Sequence, residues 1–167
     1  MKTQPKMDVK YWEGGLTLHE VRAIEKIAQA FGSSSQKQER KSTKLSSLNE
    51  LKAIIPSGNA MFPWKGYAGF RLVGSGGEGE FDLVIVTHYN VIIVELKHWN
   101  GELTASGDNW YQNGEYRERS AVSKTQDKAN LLTSKLSNCG RAFPSFSGHK
   151  FDRPKVDFVV VLTGTAN

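Results

Sequence analysis

The stretch from Gly79 to Gly101, GEFDLVIVTHYNVIIVELKHWNG, decides how this sequence folds. It contains two aliphatic runs separated by the polar triplet His88–Asn90. β-branched residues favour strands, and two such runs joined by a short polar connection are typical of a β-hairpin. We therefore predict strands over Phe81–Thr87 and Val91–Trp99.

Three charged residues lie near the open end of this hairpin: Asp82, Glu95 and Lys97. A turn at His88-Tyr89 places Asp82 opposite Glu95, whereas a turn at Tyr89-Asn90 places Asp82 opposite Lys97. Residues that lie directly opposite each other share a face of the sheet, and so do residues two apart in one strand. The three groups therefore converge in either register.

Two opposed carboxylates repel each other, and burying them costs several kcal/mol unless the charge is compensated. A divalent cation held by Asp82 and Glu95, with Lys97 balancing part of the charge, would compensate it. Mg²⁺ suits such a sparse site because it takes one or two carboxylates and keeps several waters. The alternative is a structural salt bridge between Lys97 and one carboxylate, exposed at the strand ends.

Upstream, the spacing of apolar residues predicts an amphipathic helix over Leu16–Phe31, with Thr17 as N-cap and Gly32 as its end. Glu20 lies within the apolar stripe of this helix. A glutamate there faces the sheet, where a metal site is one partner for it. Thr17 and Glu20 also match a capping box, in which Glu20 bonds back to the backbone of Thr17. The sequence leaves both interpretations open.

The remaining patterns complete an α/β arrangement of two helices, three strands, a helix and a strand. Val156–Thr163 is a continuous apolar run, which is typical of a buried central strand. The other predicted elements are a loop over Gly32–Lys44, a helix over Ser47–Ile55, a strand over Gly69–Val73, a glycine loop over Gly74–Gly79, one or two short strands within Asn100–Arg119, a helix over Ser123–Leu136 and a loop over Arg141–Pro154.

Length and composition indicate one globular domain of 167 residues, with 38% apolar residues and a mean hydropathy of −0.45. No apolar run approaches the roughly 20 residues of a membrane-spanning helix, and Met1–Lys10 lacks a secretory pattern. The single cysteine, Cys139, excludes an internal disulfide. We therefore expect a cytoplasmic protein without a membrane partner.

The net charge of +5 is concentrated in one segment. Residues 1–116 are neutral, whereas residues 117–155 carry nine basic residues and three acidic ones. This asymmetry favours a polyanionic partner such as nucleic acid, although a solvated helix face would give the same count. The basic residues that we expect to contact phosphates are Arg117, Arg119, Lys124, Lys128 and Lys135.

Glu95-Leu96-Lys97, preceded by Asp82 one strand earlier, resembles the signature of the PD-(D/E)XK nuclease superfamily. With both aliphatic strands and the trailing Trp99-x-Gly101, the pattern is similar to the nuclease-related domain, NERD. The resemblance extends over residues 13–164 and includes Glu20, Trp110 and the helix that carries Gln126. Two features depart from it: Val122-Ser123 replaces an Asn-Pro pair, and the loop after the first helix looks like an insertion.

The resemblance implies a restriction-endonuclease-like core, a mixed β-sheet flanked by helices, that hydrolyses phosphodiester bonds with Mg²⁺ or Mn²⁺. Asp82, Glu95, the Leu96 carbonyl and Glu20 would hold metal, and Lys97 would lie against the attacking water or the developing negative charge. Gln126 would orient substrate or a metal-bound water, although a polar cap at the helix start explains it equally well. We expect DNA rather than RNA as the substrate.

The resemblance also bears on how the chain is organised. We expect residues 1–167 to form a single domain of this type, the N-terminal fragment of a longer protein. The partner domain would be a kinase or helicase of a phage-defence protein, and a homo-oligomer is compatible with this arrangement. The alternative to an enzyme is a non-catalytic module that binds nucleic acid or another protein of a defence complex.

Overall fold

The computed structural model describes residues 7–12, 15–37, 64–74, 77–87, 90–142 and 155–165. Within these ranges the elements are β1 (Asp8–Tyr11), α1 (Leu18–Lys37), β2 (Lys65–Gly74), β3 (Gly77–Val86), β4 (Val91–Lys97), β5 (Leu103–Ser106), β6 (Asn109–Gln112), β7 (Glu115–Arg119), α2 (Ala121–Ala142) and β8 (Val156–Leu162). The predicted helix over Ser47–Ile55 lies outside the described residues.

Five strands form one mixed sheet in the order β1-β2-β3-β4-β8. β2, β3 and β4 are antiparallel neighbours, while β1 is parallel to β2 and β8 is parallel to β4. β5, β6 and β7 form a separate three-stranded antiparallel sheet. The predicted α/β class with a mixed sheet is confirmed.

The aliphatic runs of β3 and β4 bury side chains on both faces of this sheet. On one face, Ile24 and Ala28 of α1 belong to a core cluster with Leu83, Ile85, Val94 and Leu96. On the other face, Ala129 and Leu132 of α2 belong to a second cluster with Phe81, Val84 and Ile93. Helices therefore flank the sheet on both sides, as predicted.

In β3, the regular alternation of side chains between the two faces of the sheet is interrupted at Asp82. Phe81 and Leu83 are two residues apart, yet they belong to clusters on different sides of the sheet. The register of β2 against β3 places Gly69 opposite Asp82, and Gly69 has a φ of 72°. A left-handed backbone at this position requires glycine, and a glycine in a strand often marks such an irregularity. Regular pairing is therefore interrupted at Asp82, which has no recorded partner in β2 or β4.

The last strand differs from its prediction. Val156–Leu162 forms an edge of the sheet among the described strands, and Val159 and Leu162 are each 43% exposed. The prediction of a buried central strand was therefore wrong. A continuous apolar run indicates burial, but the antiparallel β2–β3–β4 unit takes the centre of the sheet. Among the described strands, this leaves β8 with β4 as its one neighbour.

Three further differences concern the ends and number of the elements. α1 continues through Gly32 to Lys37, because a single glycine costs a helix only about 1 kcal/mol relative to alanine. The segment after β4 forms three strands instead of one or two, and β1 was not predicted at all.

Neither helix in the described ranges is long and apolar enough to cross a membrane.

Candidate functional site

The register of the β3–β4 hairpin decides which charged groups meet. Leu83 pairs with Val94 and Val86 pairs with Val91, and the Thr87 N–H donates to the Asn90 carbonyl at 3.0 Å. This is the register of a two-residue connection at positions 88 and 89, which themselves lie outside the described residues. This turn is the first of the two alternatives that the sequence allowed, and Asp82 and Glu95 lie one residue beyond the last recorded pair, Leu83 and Val94.

Asp82 lies half-buried at the break in the sheet. Its Oδ2 accepts a hydrogen bond from the Leu96 N–H at 2.7 Å. Burial and the nearby carboxylate of Glu95 raise the pKa of Asp82 to about 6, against the lowering effects of the Leu96 bond and of Lys128. Glu20 also raises this pKa slightly, so its carboxylate lies within electrostatic reach. Asp82 is thus an ionisable group with incomplete local compensation.

Glu95 is almost fully buried, with 4% of its surface exposed. Lys97 Nζ lies 3.2 Å from Oε1, and Lys128 Nζ of α2 lies 2.5 Å from Oε2. Each carboxylate oxygen therefore has an ammonium partner. The basic segment predicts a phosphate contact for Lys128, but its ammonium pairs with Glu95 inside the site.

Glu118 of β7 is a site residue that the sequence analysis missed. Its Oε1 lies 3.2 Å from Lys97 Nζ, and its Oε2 lies 2.5 Å from Lys124 Nζ. Burial alone would lower the pKa of Lys97, but Glu95 and Glu118 together raise it. Lys97 is therefore held between two carboxylates in its charged form. No local pattern marks Glu118, because its approach depends on how the three-stranded sheet packs.

Glu20 forms the capping box at the start of α1. Its Oε2 accepts from the Thr17 N–H at 2.6 Å and from the Thr17 hydroxyl at 2.9 Å, and the Glu20 N–H donates to Thr17 Oγ1 at 3.4 Å. The capping interpretation therefore holds for this carboxylate. Since Glu20 also acts on the pKa of Asp82, the cap and the site are close neighbours.

The other predicted residues lie around the cluster. Gln126 is exposed and donates to Asn130 at 3.4 Å, so its described partner belongs to its own helix. Arg119 forms ion pairs with Asp108 and Asp127, and Lys124 pairs with Glu118. Arg117 is exposed and Lys135 is half-buried. Among the described basic residues of this segment, Arg119, Lys124 and Lys128 are therefore paired with carboxylates of the same protein.

The carboxylates of this site suit a hard divalent cation that takes few of its ligands from the protein. Asp82 and Glu95 supply two carboxylates on neighbouring strands. Among the described groups, the Leu96 N–H and the charge of Lys128 are what stabilise the charge of Asp82. Mg²⁺ is commonly held by one or two carboxylates plus water. Among the described residues, no group of three or more His, Cys, Asp or Glu side chains is placed to hold a metal ion. A cation here would therefore rely on water and substrate for its remaining ligands.

A mixed sheet between two helices, with an Asp and a Glu-x-Lys on adjacent strands, defines a nuclease-like α/β domain. The family model described as nuclease-related domain, NERD, matches residues 48–163, which is more than half of the chain. The chain therefore belongs to the nuclease-related domain family, whose fold is restriction-endonuclease-like.

One curated relative is a probable kinase, PglW, of Streptomyces coelicolor (strain ATCC BAA-471 / A3(2) / M145). It is 30% identical over 66 residues, which are 39% of this chain. The matched segment spans only 4% of the relative's own length, so the similarity concerns one small part of a much larger protein. No solved structure matches the chain.

Proposed function

We propose that this domain is a divalent-metal-dependent nuclease that hydrolyses phosphodiester bonds of DNA. One observation carries the proposal: Asp82 and Glu95 lie on adjacent strands with Lys97 Nζ 3.2 Å from Glu95. Membership of the nuclease-related family supports the same chemistry.

Each residue has a distinct task in this reaction. Mg²⁺ or Mn²⁺ held by Asp82, Glu95 and the Leu96 carbonyl would supply Lewis-acid charge to the scissile phosphate and its attacking water. Lys97, which Glu95 and Glu118 keep protonated, stabilises the negative charge that develops on the phosphate oxygens. Because Lys97 lies between two carboxylates, we assign it a role through its charge and not as the base.

Other parts of the proposal concern partners. Arg117, Lys124 and Lys135 are the basic residues that we propose contact the DNA backbone outside the central cluster, and Gln126 remains a candidate for orienting substrate. The similarity to a probable kinase supports a kinase as the attached domain. We propose in addition that the whole protein acts in the cytoplasm in phage defence. A homo-oligomer is compatible with this arrangement.

Cleavage of single- and double-stranded DNA and of RNA, in Mg²⁺, Mn²⁺ or EDTA, tests the proposal. We expect metal-dependent cleavage of DNA that falls at least about a hundredfold in Lys97→Met, because charge stabilisation at a transition state is worth that much. Lys155→Met, on the exposed Lys155–Asp157 pair, is the matched control and should cleave like wild type. Cleavage that persists in EDTA would contradict the proposal.

A second candidate is a nucleic-acid-binding module without catalysis. The observation that favours it is the double ion pair on Glu95, since a carboxylate already neutralised by Lys97 and Lys128 attracts a metal weakly. DNA binding that needs no metal, with no cleavage under any metal, would support this candidate over the nuclease.

A further inference from the structure

Lys128 makes a contact that the proposed reaction does not explain. Its side chain is only 18% exposed, and its Nζ lies 2.5 Å from Oε2 of Glu95. Thr125, Ala129 and Leu132 on the same helix are buried, and two of them, Ala129 and Leu132, pack in the core cluster beneath the site. The packing of α2 against the sheet therefore positions the Lys128 ammonium at Glu95.

The charges around Glu95 are then balanced without a metal ion. Lys97 already lies on Oε1, and it is also held by Glu118 on its far side. Lys128 lies on Oε2, the other oxygen of the same carboxylate. A divalent cation that uses Glu95 must approach this same carboxylate, and two cations at one oxygen repel each other strongly in a partly buried site.

We propose that Lys128 is a built-in counter-cation that occupies the divalent-cation position on Glu95 and leaves that carboxylate when the metal binds. The inference deepens the proposed function and rests on it, because the competing ligand is the metal of the nuclease site. Lys128 protects the metal-free protein from a buried, uncompensated Glu95. The same contact lowers the affinity of the site for metal.

Direct titration of Mn²⁺, followed by the electron paramagnetic resonance signal of the free ion, tests the competition without any activity measurement. We expect Lys128→Met to bind Mn²⁺ at least about tenfold more tightly than wild type, since one repelling charge has been removed. Lys128→Arg keeps the charge and should stay close to wild type. Lys155→Met removes an exposed charge that pairs with Asp157, outside the cluster, and it should change the affinity less than about twofold.

Lys128→Gln gives a second neutral variant in case Lys128→Met folds poorly, and circular dichroism shows which variants are folded. Wild-type affinity in a folded neutral variant would overturn the competition and leave the proposed nuclease intact. Absence of binding in wild type and every variant would overturn both. Binding by the neutral variants alone would show that Lys128 blocks the site, but it would contradict the release of Lys128 in wild type and, with it, the metal-dependent nuclease.

Discussion

At the residue scale, the burial of Glu95 explains why two lysines belong to the cluster. It is the one charged side chain among the buried residues that the structure describes. A buried carboxylate is tolerated only when its oxygens are paired, and removing one partner of such a pair typically costs about 3–5 kcal/mol. Lys97 and Lys128 supply that pairing from β4 and α2. The site is therefore also part of what holds α2 against the sheet.

Asp82 makes the stability of the metal-free protein depend on pH. Burial and Glu95 raise its pKa to about 6 from 3.8, so the folded protein binds this proton more tightly than the unfolded chain does. The stabilisation is fully present below about pH 4 and is lost as the pH rises through about 6. We expect Asp82→Asn in EDTA to be more stable than wild type near pH 7.5, by on the order of 2 kcal/mol.

Urea denaturation of both proteins between about pH 4 and 8 measures this difference. Asparagine keeps an oxygen that can accept from the Leu96 N–H, so the variant isolates the charge from the hydrogen bond. The two proteins should approach equal stability at the acid end of the range. An Asp82→Asn protein that is less stable than wild type near pH 7.5 would show that the carboxylate is fully compensated.

At the element scale, the start of α1 links helix stability to the site. The capping box uses Glu20 Oε2 for both the N–H and the hydroxyl of Thr17. Glutamine also serves at this position of a capping box, whereas alanine does not. A change to glutamine therefore removes the charge near Asp82 and keeps the cap.

We expect Glu20→Ala to lower the free energy of unfolding by about 1 kcal/mol, because a cap is lost. Glu20→Gln should be at least as stable as wild type without metal, since repulsion from Asp82 is removed. Thermal melting of the three proteins in EDTA provides the comparison. Equal loss in both variants would mean that the charge itself is what α1 needs.

At the scale of the whole molecule, the residues after β8 form hydrogen bonds with the end of β4 and with the loop that follows it. The Thr163 N–H donates to the Lys97 carbonyl at 2.9 Å, and the Thr165 N–H donates to Asn100 Oδ1 at 2.9 Å. Between these contacts, a Cβ on Gly164 would collide with the Trp99 carbonyl oxygen. The close approach of two backbones therefore requires glycine and fixes the strand that carries Glu95 and Lys97.

Gly164→Ala should lower the free energy of unfolding by about 1–3 kcal/mol, the usual cost of overpacking, with a matching drop in melting temperature. Gly114→Asn is the control, because Gly114 has open space around it and asparagine tolerates its φ of 80°. It should cost less than about 1 kcal/mol. A Gly164→Ala protein as stable as the control would show that the loop yields freely.

The sequence by itself determined the α/β class, the β3–β4 hairpin and the candidate trio of Asp82, Glu95 and Lys97. These depend on periodicity and on short spacings, which local backbone geometry converts into shared faces. It narrowed the register to two alternatives and left Glu20 between a cap and a ligand. It assigned Gln126 and five basic residues to predicted helices or strands, but it did not show which groups they contact.

The tertiary structure alone decided what completes the cluster. Lys128 lies 33 residues from Glu95 in the chain, and Glu118 reaches Lys97 from a separate sheet. The interruption of regular pairing at Asp82 lies beside Gly69 of the neighbouring strand. Among the described strands, β8 is at an edge because β2–β4 fill the centre. Periodicity predicts which face a side chain occupies. The neighbours of that side chain depend on how elements distant in sequence pack together.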